Sequence, residues 1–122
     1  MSAVDVHGLV WMGVRTPQFA ETSAFLERLG LRPVRSESEM TVLQARNGDT
    51  VEVFGPGDDD HRHFDTGPVV GLLVDDIEEA RRELEADGIE FIGPVEHGGG
   101  MTWTHLRGPD GNVYELTQRQ GS

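Results

Sequence analysis

The chain has no cysteine, no lysine and no long apolar run, and it is short of positive charge. Without cysteine there is no disulfide and no thiolate nucleophile. Ten basic residues, all arginine, stand against 22 acidic ones, giving a formal net charge of −12 with no basic cluster. That field would repel a phosphate backbone, so nucleic acid is not an expected partner. The exclusive use of arginine reads as coding bias. No apolar stretch approaches the ~18–20 residues needed to cross a bilayer. No Arg or Lys precedes the apolar Leu9–Met12 run as a leader would require. No membrane partner is expected, and the expected location is cytoplasmic. At 122 residues the chain suits one domain and is too short for two independent cores.

What is present is a duplication. The stretch from Gly108 to Gln118 has an earlier echo from Asn47 to Phe54. In each, a turn dipeptide (Asn47-Gly48, Asp110-Gly111) supplies residues that tolerate positive φ, and a strand follows in which one glutamate interrupts apolar neighbours. Those glutamates are Glu52 and Glu115, 63 positions apart. Upstream, His7–Val14 is rich in strand formers and runs into Thr16-Pro17, an N-cap with proline at the first helical position. Phe19, Ser23, Leu26 and Leu29 give residues 17–29 an inward face, and Gly30 followed by Leu31 predicts a Schellman ending. Short strands are expected at Arg32–Ser36 and Met40–Ala45 before the Asn-Gly turn.

The order then begins again. Val69–Val74 is an apolar strand, Asp76 with Glu79 at capping-box distance opens a helix, and Ile77, Ala80 and Leu84 face inward. Gly88-Ile89 repeats the ending of Gly30-Leu31, and short strands at Glu90–Ile92 and Met101–Arg107 precede the last turn. Offsets of 60 (Val14 to Val74), 58 (Gly30 to Gly88) and 63 (Glu52 to Glu115) stay within a few residues, as a duplicated unit requires. The expected architecture is α+β: two βαβββ modules, about 6–54 and 69–118, within one domain. Residues 55–68, dense in Gly, Pro and Asp, read as the linker, with His61 and His63 solvated inside it.

Two such modules, closing on Pro109-Asp110-Gly111-Asn112 with Glu115-Leu116 and with a strand entering Val74-Asp75-Asp76, resemble the vicinal oxygen chelate superfamily. This is the glyoxalase, bleomycin-resistance and extradiol dioxygenase group, and the likeness covers roughly residues 6–118. It implies curved sheets forming a concave cleft, helices on the convex side, and a homodimer. For metal-dependent members it implies ligands from the first strand of each module, usually histidine, and from the last strand, usually glutamate. Glu52 and Glu115 hold the last-strand positions. Leu9 and Val69 hold the first-strand positions, and neither can bind a metal. Two carboxylates without imidazole make a poor set for iron, zinc or nickel, which take three or four convergent donors. His7 shares the face of Leu9 but lies about 6–7 Å further along the strand, which would make a shifted site.

Glu96-His97, His105, Pro109, Gly111 and Glu115 also follow the spacing of the extradiol dioxygenase fingerprint, which resembles this stretch in spacing but not in several identities. Thr104, His105 and Gly108 depart from it, and Gly98-Gly99-Gly100 loosens the intervening loop. His97 and His105 are therefore read as polar groups lining the cleft. Alternation places Trp11 and Phe54 on the faces of Leu9 and Glu52, and Trp103 beside His105. The expected ligand-binding set is His7, Trp11, Glu52, Phe54, Trp103, His105 and Glu115; the two aromatics Trp11 and Phe54 would equally serve as core filling between the modules. The function expected is metal-free, cofactor-free binding of a small aromatic and cationic molecule, by sequestration as in the bleomycin-resistance branch. The alternative is a lyase, isomerase or dioxygenase that uses a divalent metal at Glu52 and Glu115; a metal-free enzyme with Glu115 or His105 as general base is a third possibility.

Overall fold

The computed structural model describes residues 2–120. The elements in chain order are β1 (Gly8–Arg15), α1 (Phe19–Arg28), β2 (Arg32–Glu37), β3 (Met40–Gln44), β4 (Thr50–Phe54), β5 (Val69–Leu73), α2 (Ile77–Ala86), β6 (Phe91–Gly98), β7 (Met101–Arg107) and β8 (Val113–Arg119). The architecture is α+β, a βαβββ order given twice. The chain divides into a first unit, residues 10–69, and a second, residues 2–9 with 70–120 among those described. In the first unit the strands run β2-β3-β4-β1, antiparallel except that β1 is parallel to β4. The second unit repeats this as β6-β7-β8-β5, with β5 parallel to β8. No helix among the described residues is long and apolar enough to cross a membrane.

Each helix covers one face of its own unit's sheet. In the first, Leu26 of α1 packs on Leu43 and Val53, with Val14, Phe19, Leu31 and Val51 around them. In the second, Ile77 and Ala80 of α2 pack on Val74, Leu106 and Leu116. Burying a Leu or Ile side chain stabilises by about 1.5–3 kcal/mol, so these small clusters supply most of what holds each helix down. A polar bond accompanies each: buried Ser23 donates to Thr41 (3.2 Å), and Arg81 donates to Thr104 (2.7 Å) while lying over the Phe91 ring.

The local signals of the two halves are reproduced almost bond for bond. Both helices end in Schellman motifs: Gly30 donates to Glu27 and Leu31 to Leu26, as Gly88 donates to Glu85 and Ile89 to Leu84, with φ of +100° at Gly30 and +88° at Gly88. Both hairpin turns close through the same set. Asn47 accepts from the Asp49 amide as Asp110 accepts from that of Asn112, each at 3.0 Å. Gly48 and Gly111 take the positive φ alone, since no other residue type does so among those described. In the second turn Tyr114 donates to Asp110 (2.7 Å), which holds that carboxyl below the ordinary carboxylate range, aided by the Asn112 amide.

Four expectations change. The N-cap of α1 is Gln18, and Thr16 instead accepts the Gln18 amide (3.0 Å) in a turn just outside the helix. Leu29, expected inward, is exposed: it is the C-cap at which the chain leaves α1 for β2. Strand β6 is far longer than Glu90–Ile92; a bulge between Ile92 and Glu96 absorbs Gly93-Pro94, and pairing continues to Gly98. A matching bulge follows Pro33 in β2, so each outermost strand carries a proline that cannot donate, which blunts the edge against further pairing. Finally, residues 55–68 form turns that fold back onto the first unit, with His61 stacked on Phe54.

The caps give a direct check. Nothing lies within 4 Å of a methyl placed on Gly30 or Gly88, so Gly30→Ala and Gly88→Ala isolate backbone strain and should each cost about 1–2 kcal/mol in thermal or denaturant unfolding. Tyr114→Phe should bring the Asp110 carboxyl up towards its ordinary range by NMR titration. Because the wild-type carboxyl is held low, its stabilising effect is present above that range and is lost as pH falls through its folded pKa. Tyr114→Phe should weaken that acid-side dependence, leaving the part due to the Asn112 amide.

Candidate functional site

Strand alternation and pairing decide which residues share the face that α2 does not cover in the second unit. Glu115 on β8 stands opposite His105 on β7 and beside Gly71 on β5, and His105 in turn stands opposite Ile92 on β6. One step along, Thr117 pairs with Trp103, and Trp103 with Glu96. The side chains are joined. His105 Nε2 lies 3.0 Å from Glu115 Oε1, and Thr117 Oγ1 donates to Glu115 Oε2 at 2.6 Å. All three are buried, Glu115 to 4% exposure. With Glu115 ionised, Nε2 must be the donor, which fixes the imidazole tautomer. The Trp103 indole leans over Gly98, where an added methyl would sit 3.2 Å from its ring, and leaves Trp103 partly exposed at the edge of this row.

Two other histidines of this unit are elsewhere. His7 meets Asp75 (3.0 Å), both well exposed. His97 pairs with Thr102, whose neighbour Gln118 accepts from the first amide of α2, so His97 belongs to the helix-covered face and does not line the face of Glu115.

The equivalent row of the first unit has a different chemistry. Glu52 on β4 stands between Gly13 on β1 and Val42 on β3, and Phe54 stands between Arg15 and Met40. Where the second unit has Gly71, His105, Thr117 and Trp103, the first has Gly13, Val42, Phe54 and Met40. The Trp11 indole lies across Gly13, the residue paired with Glu52, so close that an added methyl would meet its ring at 2.0 Å. Phe54, expected either to line the pocket or to fill core, is 1% exposed, with His61 stacked on it at 3.7 Å and Phe64 meeting it edge-on. Phe64 also meets Trp11 edge-on at 6.1 Å. His61 is held by Asp58, whose carboxylate accepts from its amide (2.9 Å) and touches Nδ1 (3.1 Å), while Arg15 donates to the carbonyls of Asp58 and Pro56. The expectation of a solvated His61 is thus overturned. Phe64 and Thr117 were not foreseen. Only the register set by the Gly108–Asn112 turn carried a signal for Thr117.

The fold family implies a metal in some members, and the donors present do not fit one. Among the described residues no three His, Asp or Glu side chains are grouped to hold an ion, whereas a catalytic site needs at least three protein donors. Glu115 already has both oxygens engaged. We derive no step through a metal. What the Thr117–Glu115–His105 chain can do is present an oriented imidazole and a desolvated carboxylate to an organic guest.

Thr117→Val keeps the shape and removes the donor, leaving Glu115 Oε2 short of a partner. It should cost about 1–3 kcal/mol of folding stability, and Thr117→Ser should restore most of it.

The comparisons agree with this architecture. A family model described as Glyoxalase/Bleomycin resistance protein/Dioxygenase superfamily matches residues 8–116. Among curated proteins nothing matches. Among solved structures, the methylmalonyl-CoA epimerase of Mycobacterium tuberculosis is 18% identical with a TM-score of 0.71, covering 98% of this chain and 93% of that one. That of Streptomyces coelicolor is 14% identical at 0.69, covering 97% and 100%. A Mn(II)-bound glyoxalase from Novosphingobium aromaticivorans is 19% identical at 0.72, covering 93% of this chain but only 39% of that one. At such identities the likeness is one of fold, and it is the family model, matched from the first strand to the last, that places the sequence. The chain belongs to the glyoxalase/bleomycin resistance protein/dioxygenase superfamily.

Proposed function

We propose that the protein binds a small organic molecule on the helix-free face of its second unit, without a metal. The observation that carries this reading is the buried chain from Thr117 through Glu115 to His105, beside the partly exposed indole of Trp103. A carboxylate and an imidazole locked to each other form an anchor of fixed geometry, and a carboxylate has acceptor capacity beyond the two contacts it makes here. Trp103 offers a flat wall, and Glu96 opposite it adds negative charge at the rim. A ligand with an aromatic ring and a basic group matches these features through stacking, charge and cation–π contact. Sequestration of such a molecule, a basic aromatic antibiotic included, is the form this takes, with the protein working as a cytoplasmic homodimer.

Calorimetric titration with basic aromatic compounds is the test. Binding should weaken by about tenfold or more in Trp103→Ala, since a desolvated cation–π contact is worth ~2 kcal/mol. Unchanged affinity in Trp103→Ala and in Glu115→Gln would remove the site.

A second reading follows from the same imidazole. With its tautomer set by Glu115, His105 has the form of a general base for metal-free proton transfer. Turnover of any compound that binds, abolished in His105→Gln while binding persists, would favour it. Elemental analysis of protein purified without chelator addresses the metal-dependent lyase, isomerase or dioxygenase using Glu52 and Glu115. Substoichiometric zinc, nickel, manganese and iron are expected, and one equivalent of any of them would favour that enzyme instead.

A further inference from the structure

The two turns that register the hairpins use the same residues in opposite order, Asn47-Gly48-Asp49 before β4 and Asp110-Gly111-Asn112 before β8. In each, a side-chain amide is bound to a carboxylate: Asn47 Nδ2 donates to Asp49 Oδ2 at 2.8 Å, and Asn112 Nδ2 donates to Asp110 Oδ2 at 2.9 Å. The backbone closes alike in both, Gly48 donating to the Ala45 carbonyl and Gly111 to that of Gly108. Their covalent chemistry differs. An asparagine side-chain carbonyl followed by glycine is open to attack by the glycine nitrogen, which has no side chain to obstruct the approach. An aspartate in that place is a poor electrophile while ionised, and Tyr114 and the Asn112 amide hold the Asp110 carboxyl below its ordinary range.

The folded turn keeps the reacting groups of Asn47 and Gly48 apart. Asn47 Oδ1 accepts from the Asp49 amide at 3.0 Å, and with the Nδ2 contact this draws the side chain past Gly48 onto residue 49. The Gly48 N–H is spent on the Ala45 carbonyl at 2.9 Å. These bonds lie at the surface: Asn47 and Gly48 are both exposed, and nothing stands within 4 Å of a methyl placed on Gly48. Solvent-exposed hydrogen bonds at the tip of a hairpin belong to the part of a fold that opens locally at low cost. Space for a ring to form, and water to open it, are at hand.

We propose that Asn47 is a self-modification site, gated by its own turn, whose conversion unfastens the β3–β4 hairpin. Once the turn opens, the Gly48 nitrogen gives its proton to solvent and bonds to Asn47 Cγ, the bond from Cγ to the side-chain nitrogen breaks, and ammonia leaves. Water then opens the succinimide at one carbonyl or the other, giving aspartate or isoaspartate; no oxidant or cofactor is needed. Aspartate sets a second negative charge against Asp49 where a donor stood, and isoaspartate adds a carbon to the main chain of the 45–49 loop. Either product loosens the turn that sets Val42 opposite Glu52. Asn112, the other asparagine of the chain, precedes Val113, whose branched side chain crowds the attacking nitrogen, and it serves as an internal control. The inference does not depend on any ligand.

The test ages the intact protein in warm, mildly alkaline buffer beside the same protein unfolded in urea. Tryptic peptides 47–62 and 108–119 are followed by mass spectrometry, with electron-transfer fragmentation to tell aspartate from isoaspartate. Both products should appear at Asn47 while Asn112 stays intact, and conversion in the folded chain should be about tenfold slower than in urea, because the turn's hydrogen bonds must open first. Asp49→Ala removes one of those bonds and should bring the folded rate several-fold nearer the urea rate. Asn47 untouched in the folded chain when the urea sample has converted, or Asn112 converting as fast, would overturn the site. Equal rates in folded and unfolded parent, or no acceleration in Asp49→Ala, would overturn the gate. Asn47→Asp fixes the first product in place and should unfold at lower urea than the parent. The double variant Asn47→Asp with Asp49→Asn copies the residue order of the second turn and should recover the parent midpoint. A midpoint in Asn47→Asp equal to the parent's would sink the unfastening, and no recovery in the double variant would overturn the charge clash as its cause.

Discussion

A four-stranded sheet with one helix laid on it has a packed face and a face the helix does not reach, and strand alternation decides which residue appears on which. In both units of this protein that constraint is strict. Leu116 lies under α2 because Glu115 does not, and Val53 lies under α1 because Glu52 does not. A slip of one residue in either hairpin would drive a carboxylate into a cluster of Leu, Val and Ile, at a desolvation cost of several kcal/mol, and would turn the leucine outward. The two tight turns, with glycine at the single positive φ of each, therefore fix chemistry as well as shape.

The duplicated frame is conserved between the halves in its helix endings, turns and blunted edges, while the helix starts and the helix-free faces have diverged. Both glutamates have a glycine beside them on the parallel strand, Gly13 or Gly71. On the other side Glu115 has His105, whereas Glu52 has Val42, and the polar Thr117 of one unit is the aromatic Phe54 of the other. The first unit then recruits the connecting segment to cover its aromatic residue, and the second leaves Trp103 partly open. One frame has thus been fitted with two surfaces, one closed over rings and one built round a hydrogen-bonded carboxylate.

Most of the frame was legible in the sequence because its signals are local. Gly30-Leu31 and Gly88-Ile89 specify their Schellman endings without reference to anything distant, and Asp76 specifies the cap of α2 by accepting the Glu79 amide at 3.1 Å. What escaped notice depends on contacts far along the chain. Gly93-Pro94 looks like a strand terminator unless the partner strand is long enough to carry pairing past a bulge. The 55–68 stretch looks like a solvated linker because its histidines and Phe64 have no periodicity, and only the tertiary position of Trp11 and Phe54 gives them a surface to meet. The His105–Glu115 contact lies between these cases. Each residue was singled out separately, yet placing Gly108 opposite Asn112, as the turn demands, already places His105 opposite Glu115.

The presence of that pair says something that stability alone does not. Taking a carboxylate and an imidazole out of water costs more than their mutual attraction commonly returns, and well-packed apolar residues of similar volume do at least as well in stabilising a fold. This protein contains the control within itself. At the position that corresponds to His105 the first unit has Val42, and at that of Thr117 it has Phe54, in a sheet of the same topology with the same turn. The apolar solution is therefore available to this frame and is used once. Keeping a buried, fully hydrogen-bonded Thr117–Glu115–His105 chain in the other unit is then a property of what that face meets, since nothing in the strands, turn or helix packing requires it.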